Sequence, residues 1–144
     1  MYEFLDYRVS DVMNENPVTV GPRTTLAEVE AIFEEHDFNG LPVVGPDQEL
    51  LGLVTKLDVL KAFRFDDDHM FPPYEEIMQQ SAASVMTMDP RSVTSRATLT
   101  RVLETLVRGR YKSLPVVDDG SVVGMIGREE VLFALREATT EYAA

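Results

Sequence analysis

At 144 residues the chain has about the length of one domain, and its net charge of −12 argues against a polyanionic partner such as duplex nucleic acid. It contains no cysteine, which removes disulfides, thiolate metal sites and cysteine nucleophiles together. No apolar run approaches the roughly 20 residues that span a bilayer. The N-terminal Met-Tyr-Glu-Phe-Leu-Asp-Tyr-Arg also lacks the basic start and apolar stretch of a signal peptide, so a cytoplasmic protein is expected.

In chain order, Val18-Thr19-Val20 reads as a short strand ended by Gly21-Pro22. Thr25 stands three residues before Glu28, a capping box, and Leu26, Val29, Ile32 and Phe33 share one helical face. That helix is expected to end near Asp37, with His36 a helix-end histidine interacting with the dipole. Leu41-Pro42-Val43-Val44 is a short apolar strand, Gly45-Pro46-Asp47 a turn and Leu50 to Val54 the next strand. Lys56 to Phe63 closes the unit as a helix, with Leu57, Leu60 and Phe63 expected to face inward.

Arg64 to about Ala82 is acidic and proline-bearing. Phe71-Pro72-Pro73-Tyr74 interrupts any helix, and Glu75 to Ala82 is expected to form a short one. Asp66, Asp67, Asp68 and His69 read as a charged surface loop rather than a metal site, since a hard cation needs about six oxygens in fixed geometry.

The pattern then repeats: Ser92-Val93, a helix over Thr98 to Arg108, strands over Leu114 to Val117 and Ser121 to Ile126, and a last helix from Arg128 to about Thr140. Leu99, Val102, Leu103, Leu106 and Val107 form the helical stripe, and Asp118-Asp119-Gly120 is the hairpin turn. The duplication is literal. Val12-Met13, Pro17, Val20, Thr25-Leu26, Val29 and Leu41-Pro42-Val43-Val44 recur 73 positions later, and Gly52 and Val59-Leu60 recur 72 positions later. Two such units tend to pack about a pseudo-twofold axis, and crevices between packed units are where small ligands bind. Charge is unevenly divided. Residues 1–82 hold 17 acids and five bases, whereas residues 83–144 hold eight of each. Arg91, Arg96, Arg108, Arg110, Lys112 and Arg128 leave a small anionic ligand open.

Catalytic signatures are missing. There is no Walker or dinucleotide glycine loop, no Gly-x-Ser-x-Gly elbow, and His36 and His69 have no nucleophile beside them. No enzyme activity and no metal are expected. The informative stretch is Gly52-Leu-Val-Thr55-Lys-Leu-Asp58. Thr55 stands where strand becomes helix, its hydroxyl a natural N-cap. The unsatisfied first-turn N–H groups suit phosphate, and a first-turn carboxylate suits the vicinal hydroxyls of a ribose. The same Thr–Asp couple is equally readable as a capping pair that only starts a helix.

Taken together, the doubled Val-Met…Pro-x-x-Val start, the Leu-Pro-Val-Val strand and the Gly-x-x-Thr-x-x-Asp junction resemble the CBS domain, named for cystathionine β-synthase. Two copies, over residues 9–64 and 83–140 with an acidic, proline-bearing linker at 65–82, resemble a stand-alone Bateman module. The fold class so implied is α+β (of α/β type): two tandem β-α-β-β-α repeats packed sheet to sheet with pseudo-twofold symmetry. The resemblance further implies a regulatory module that binds AMP, ADP, ATP or S-adenosylmethionine in clefts between the repeats. It implies a homodimeric disc, output through conformation, oligomeric state or a separate regulated protein, and no obligatory cofactor.

Carried over by position, the main cleft would use Thr55 and the backbone N–H groups from Lys56 onward for phosphate, with Asn39 on that side, and Asp58 for the ribose. Met86, Arg91, Tyr111 and Lys112 would form the adenine wall; Tyr111 reads equally as a half-buried core aromatic. The second cleft departs from the pattern. Gly127 replaces the threonine and Glu130 the aspartate, with Arg128 placed to reach a phosphate and Met13, Val18, Phe38 and Asn39 opposite. It is expected to be empty or weaker. The competing reading is a structural dimerisation scaffold whose clefts have decayed.

Overall fold

The computed structural model of the chain describes residues 2–64 and 73–143. In chain order its elements are α1 (Tyr2–Asp6), α2 (Val9–Val12), α3 (Leu26–Glu35), β1 (Gly40–Val44), β2 (Leu50–Thr55), α4 (Lys56–Lys61), α5 (Tyr74–Met78), α6 (Ala82–Val85), β3 (Thr87–Met88), α7 (Leu99–Gly109), β4 (Ser113–Asp118), β5 (Ser121–Gly127) and α8 (Arg128–Ala143). The expected acidic cluster at Asp66 to His69 lies outside the described residues. The chain forms two compact units. The inner unit is residues 18–90, and the flanking unit joins residues 1–17 to residues 91–144.

In the inner unit, β1 and β2 form an antiparallel hairpin, and β3 pairs antiparallel with the other edge of β2. The strand expected at Val18–Val20 contracts to a single parallel bridge between Val20 and Val43. Thr25 caps α3 by accepting from the Glu28 N–H at 3.2 Å, and the helix stops at Glu35 with His36 as its C-cap. Leu26, Val29 and Phe33 are buried against Leu41, Val43 and Val54. Ile77 and Met78 of α5 and Ala82 of α6 complete the same core. Phe63 stacks on Tyr74 at 5.6 Å, so the described ends of the segment after α4 meet.

The closing helix differs from expectation. It spans only six residues, and Leu57 and Leu60 are 61% and 65% exposed. A helix this short can turn only one narrow face inward, and that face carries Asp58 and Val59. A buried carboxylate three residues after its capping threonine therefore sets the helix rotation and turns the leucines out.

The flanking unit has the corresponding hairpin, β4 with β5, and Val93 bridges Val116 in parallel. Asp119 and Gly120, at φ 50° and 83°, make the hairpin turn, a conformation that glycine adopts freely. Leu99, Val102 and Leu106 of α7 are buried, while Val107 from the expected stripe is 65% exposed. Phe4 and Val9 fill this core beside Val131, Ala134 and Ala138 of α8. The opening residues of the first sequence repeat thus belong to the unit built on the second, and the opening residues of the second (83–90) belong to the unit built on the first.

Candidate functional site

At the β2–α4 junction, Thr55 is extended (φ −111°, ψ 169°) and makes a reciprocal capping box with Asp58. The Thr55 hydroxyl accepts from the Asp58 N–H at 3.2 Å, and Asp58 Oδ2 accepts from the Thr55 N–H at 2.9 Å. The same hydroxyl donates to Asp58 Oδ2 at 3.0 Å. Asp58 is only 4% exposed, so its charge needs partners inside the fold. Thr87 supplies another, its hydroxyl lying 3.3 Å from Oδ2 and 3.4 Å from Oδ1, and Lys61 Nζ stands 3.9 Å from Oδ1.

A threonine hydroxyl has one proton. With that proton on Asp58, Thr55 has no O–H left for a phosphate unless the carboxylate releases it. Oδ2 is crowded with donors, whereas among the described residues Oδ1 has only the long Thr87 contact and Lys61. Oδ1 is therefore the oxygen with capacity for a further hydroxyl donor. Thr87 and Lys61 were not selected by sequence reasoning. Thr87 was findable, because it follows the duplicated Val-Met at the position where the first copy has Asn14.

At the β5–α8 junction, the Gly127 N–H donates to Glu130 Oε1 at 2.8 Å, and no hydroxyl takes part. Burial pushes the Glu130 carboxyl above its ordinary value; the Gly127 N–H opposes this, and neighbouring Glu129 adds to it. Gly127 has a steric cause. A Cβ there would stand 2.7 Å from the Lys112 carbonyl oxygen and 3.1 Å from Ser113 Cβ, so a threonine in this place would collide with backbone. The first copy reverses the sizes across the strand pair, Gly40 facing Thr55 where Ser113 faces Gly127.

Arg128 is engaged. Its Nε donates to the Tyr111 carbonyl at 3.0 Å, its Nη2 to the Arg110 carbonyl at 3.3 Å, and its N–H to the Lys112 carbonyl at 3.1 Å. It staples the loop before β4 to the start of α8.

The remaining candidate residues fall as follows. Thr55, Lys56, Asp58, Asn39 and Met86 share the inner unit, as do Val18 and Phe38. Arg91, Tyr111, Lys112, Gly127, Arg128, Glu130 and Met13 share the flanking unit. Met86 lies over Gly52, where a Cβ would come 2.6 Å from its sulfur, and Met13 lies over Gly124 in the same way, at 2.9 Å. Each strand glycine admits the opening segment of the other sequence repeat. Phe38 stacks on His36 at 4.9 Å. Arg91 and Tyr111 line one cavity with the end of α7. Among the described residues, no group of three or more His, Cys, Asp or Glu side chains could hold a metal. No described helix is long and apolar enough to cross a membrane.

A family model described as CBS domain matches residues 9–64 and again 82–137. The chain is 28% identical over 120 residues to the protein MJ1225 of Methanocaldococcus jannaschii, covering 82% of this chain and 39% of that protein. It is 28% identical over 130 residues to homoserine O-acetyltransferase of Methanohalobium evestigatum, covering 90% of this chain and 24% of that enzyme. It therefore spans well under half the length of these two relatives. Among solved structures, CBSX2 of Arabidopsis thaliana in complex with AMP superposes with a TM-score of 0.79 at 26% identity, over 92% of this chain and 98% of that one.

Proposed function

The chain belongs to the CBS-domain family, carrying the domain twice in tandem, and from that premise we propose that it is a regulatory module that binds an adenosine-containing ligand. CBS-pair proteins are generally regulatory, and we assign this chain no catalysis of its own. The observation that carries the reading is the buried Thr55–Asp58 couple: a carboxylate at a strand–helix junction, one oxygen saturated and the other with capacity for a sugar hydroxyl. The AMP complex of the similar CBSX2 supports the ligand class. AMP, ADP, ATP and S-adenosylmethionine are the candidates. In this reading Asp58 holds the ribose, Thr55, Asn39 and the N–H groups from Lys56 onward face the phosphate side, and Met86, Arg91, Tyr111 and Lys112 face the base. The junction with Gly127, Arg128 and Glu130, with Met13, Val18 and Phe38, is the weaker site.

A ligand shifts a conformational equilibrium only by its differential affinity for the two states. The output in this proposal is a change of conformation or of oligomeric state passed to a separate protein, in a cytoplasmic setting. A homodimer belongs to the same proposal. Leu57 and Leu60 on α4 are exposed, and an apolar groove of about 300 Å³ is lined by Leu103, Leu106, Val107, Val131, Leu132 and Leu135. Those surfaces also favour a second reading, a dimerisation scaffold that binds nothing.

Calorimetric titration with AMP, ATP and S-adenosylmethionine separates the two. Binding that Asp58→Ala weakens about tenfold or more, and Glu130→Ala much less, is the expected result. A dimer that gives no heat with any of the three at millimolar concentration leaves only the scaffold.

A further inference from the structure

We propose that Thr87 is a displaceable latch over the Asp58 carboxylate, and that a ligand hydroxyl arriving at Asp58 frees β3 at the point where the chain leaves the inner unit. The proposal rests on the adenosine-ligand reading for what arrives, and it adds the step by which occupancy is passed on.

The Asp58 Oδ1 atom has capacity for another donor, yet the Asp58 side chain is only 5% exposed. An incoming hydroxyl must therefore move a group that stands on that oxygen. Among the described residues Thr87 and Lys61 do so. Lys61 is easily moved. Its side chain is 56% exposed, and its ammonium, 3.9 Å away, can swing into water on a flexible stem. The Thr87 hydroxyl is held differently. It divides one proton between Oδ2 at 3.3 Å and Oδ1 at 3.4 Å, two long contacts in place of one short bond. Threonine is stiff at χ1, so taking its hydroxyl off the carboxylate requires a change of rotamer or a shift of the strand that carries it.

That strand is weakly held. β3 is two residues long and lies at the edge of its sheet, paired through Leu53 with Thr87 and Gly52 with Met88. Both of its residues are exposed, Met88 at 64%, so side-chain burial adds little to it. Asp89 follows in the left-handed conformation (φ 48°), and Pro90 has no N–H with which to extend the pairing. The inner unit ends at Pro90, and the chain enters the flanking unit at Arg91. Thr87 thus ties Asp58 to the last few residues before that crossing, 29 positions along the chain.

The second copy does this differently. Asn14, in the place of Thr87, exchanges backbone hydrogen bonds with Met125 at 2.8 and 3.1 Å and turns its side-chain oxygen to the Asn16 N–H at 3.1 Å. It closes on its own segment, and the latch belongs to the Asp58 junction.

The test combines calorimetry with AMP and amide hydrogen exchange on the full chain, comparing wild type with Thr87→Val, Thr87→Ser, Asp58→Ala and the Thr87→Val, Asp58→Ala double variant. In the free proteins, Thr87→Val and Asp58→Ala should each speed exchange at residues 87–89, and the double variant should go no further, because both changes cut the same tie. AMP should speed exchange at 87–89 in wild type, the reverse of ordinary protection by a ligand, and leave it unchanged in Thr87→Val. Removing the competing hydroxyl should make Thr87→Val bind AMP about threefold tighter, a gain that damage to the fold would not produce. Thr87→Ser keeps the hydroxyl and should match wild type.

AMP protection of residues 87–89, unchanged or weaker AMP binding by Thr87→Val, or additive exchange effects in the double variant would overturn the latch and leave the adenosine reading standing. Binding by Thr87→Val but not by wild type supports both. If neither protein binds AMP, the adenosine reading falls, and the latch stands or falls on exchange in the free proteins.

Discussion

The two strand–helix junctions descend from one sequence pattern and solve the same local problem with different atoms. At Thr55 a hydroxyl and a carboxylate cap each other, and the buried Asp58 gathers further contacts from Thr87 and Lys61. At Gly127 a backbone N–H in place of a hydroxyl meets a longer, half-buried carboxylate, and the nearby cation Arg128 is turned to carbonyls instead. The difference teaches that the missing threonine is not simple decay. The Lys112 carbonyl occupies the space its Cβ would need, so the hydroxyl is excluded by the path of the chain before β4.

The sharpest way to break this comparison is to put bulk at Gly127. Gly127→Val should destabilise the chain by about 3 kcal/mol in urea unfolding, because the opposing atom is backbone and cannot swing aside. Gly40→Val, on the opposite strand of the first copy, should cost about 1 kcal/mol, its nearest neighbours standing 3.4 Å away. Equal costs would show that the two hairpins share one geometry and that the threonine was lost for another reason.

Next in size is the carboxylate itself. Asp58→Ala removes a helix cap and strands the Thr55 donors, a loss of about 2 kcal/mol, whereas Glu130→Ala removes one hydrogen bond and should cost about 0.5 kcal/mol. Thermal or urea unfolding of the pair measures the ratio, and a larger cost at Glu130 would invert the ranking.

The smallest effect is one of pH. The folded Glu130 carboxyl titrates above its ordinary value of 4.5. The fold therefore favours the protonated form. That contribution is fully present below 4.5 and is lost as pH rises through the elevated folded value. Glu130→Gln should flatten the stability profile over the window just above pH 4.5, seen as converging melting temperatures. Asp118, held below its ordinary value of 3.8 by the Ser95 hydroxyl and N–H, acts in the opposite sense. Its contribution is present above 3.8 and fades as pH falls below it. A wild-type profile that Glu130→Gln leaves unchanged would place the titration elsewhere.

Much of this was legible along the chain. The threonines at positions 25 and 55 were readable as caps and the helices after them start where expected, as does the one after Thr98, because capping involves atoms three residues apart. Asp119-Gly120 announces its turn for the same reason. The outward Leu57 and Leu60 were not legible, since a leucine's direction on a six-residue helix depends on which neighbour is buried, here Asp58. Thr87 escaped because its partner is 29 residues away.

By itself, then, the amino-acid order determined the repeat, the family, the helix–strand–strand–helix succession within each copy and the Thr55–Asp58 couple, all matters of spacing along the backbone. Tertiary structure alone decided which segments share a core: Phe4 and Val9 with residues 91–144, and Ile77, Met78 and Ala82 with residues 18–64. It also decided that Met86 and Met13 rest on Gly52 and Gly124. Caps and turns are settled by atoms within one turn of the chain, whereas burial and close approach depend on whichever distant segment fills the space.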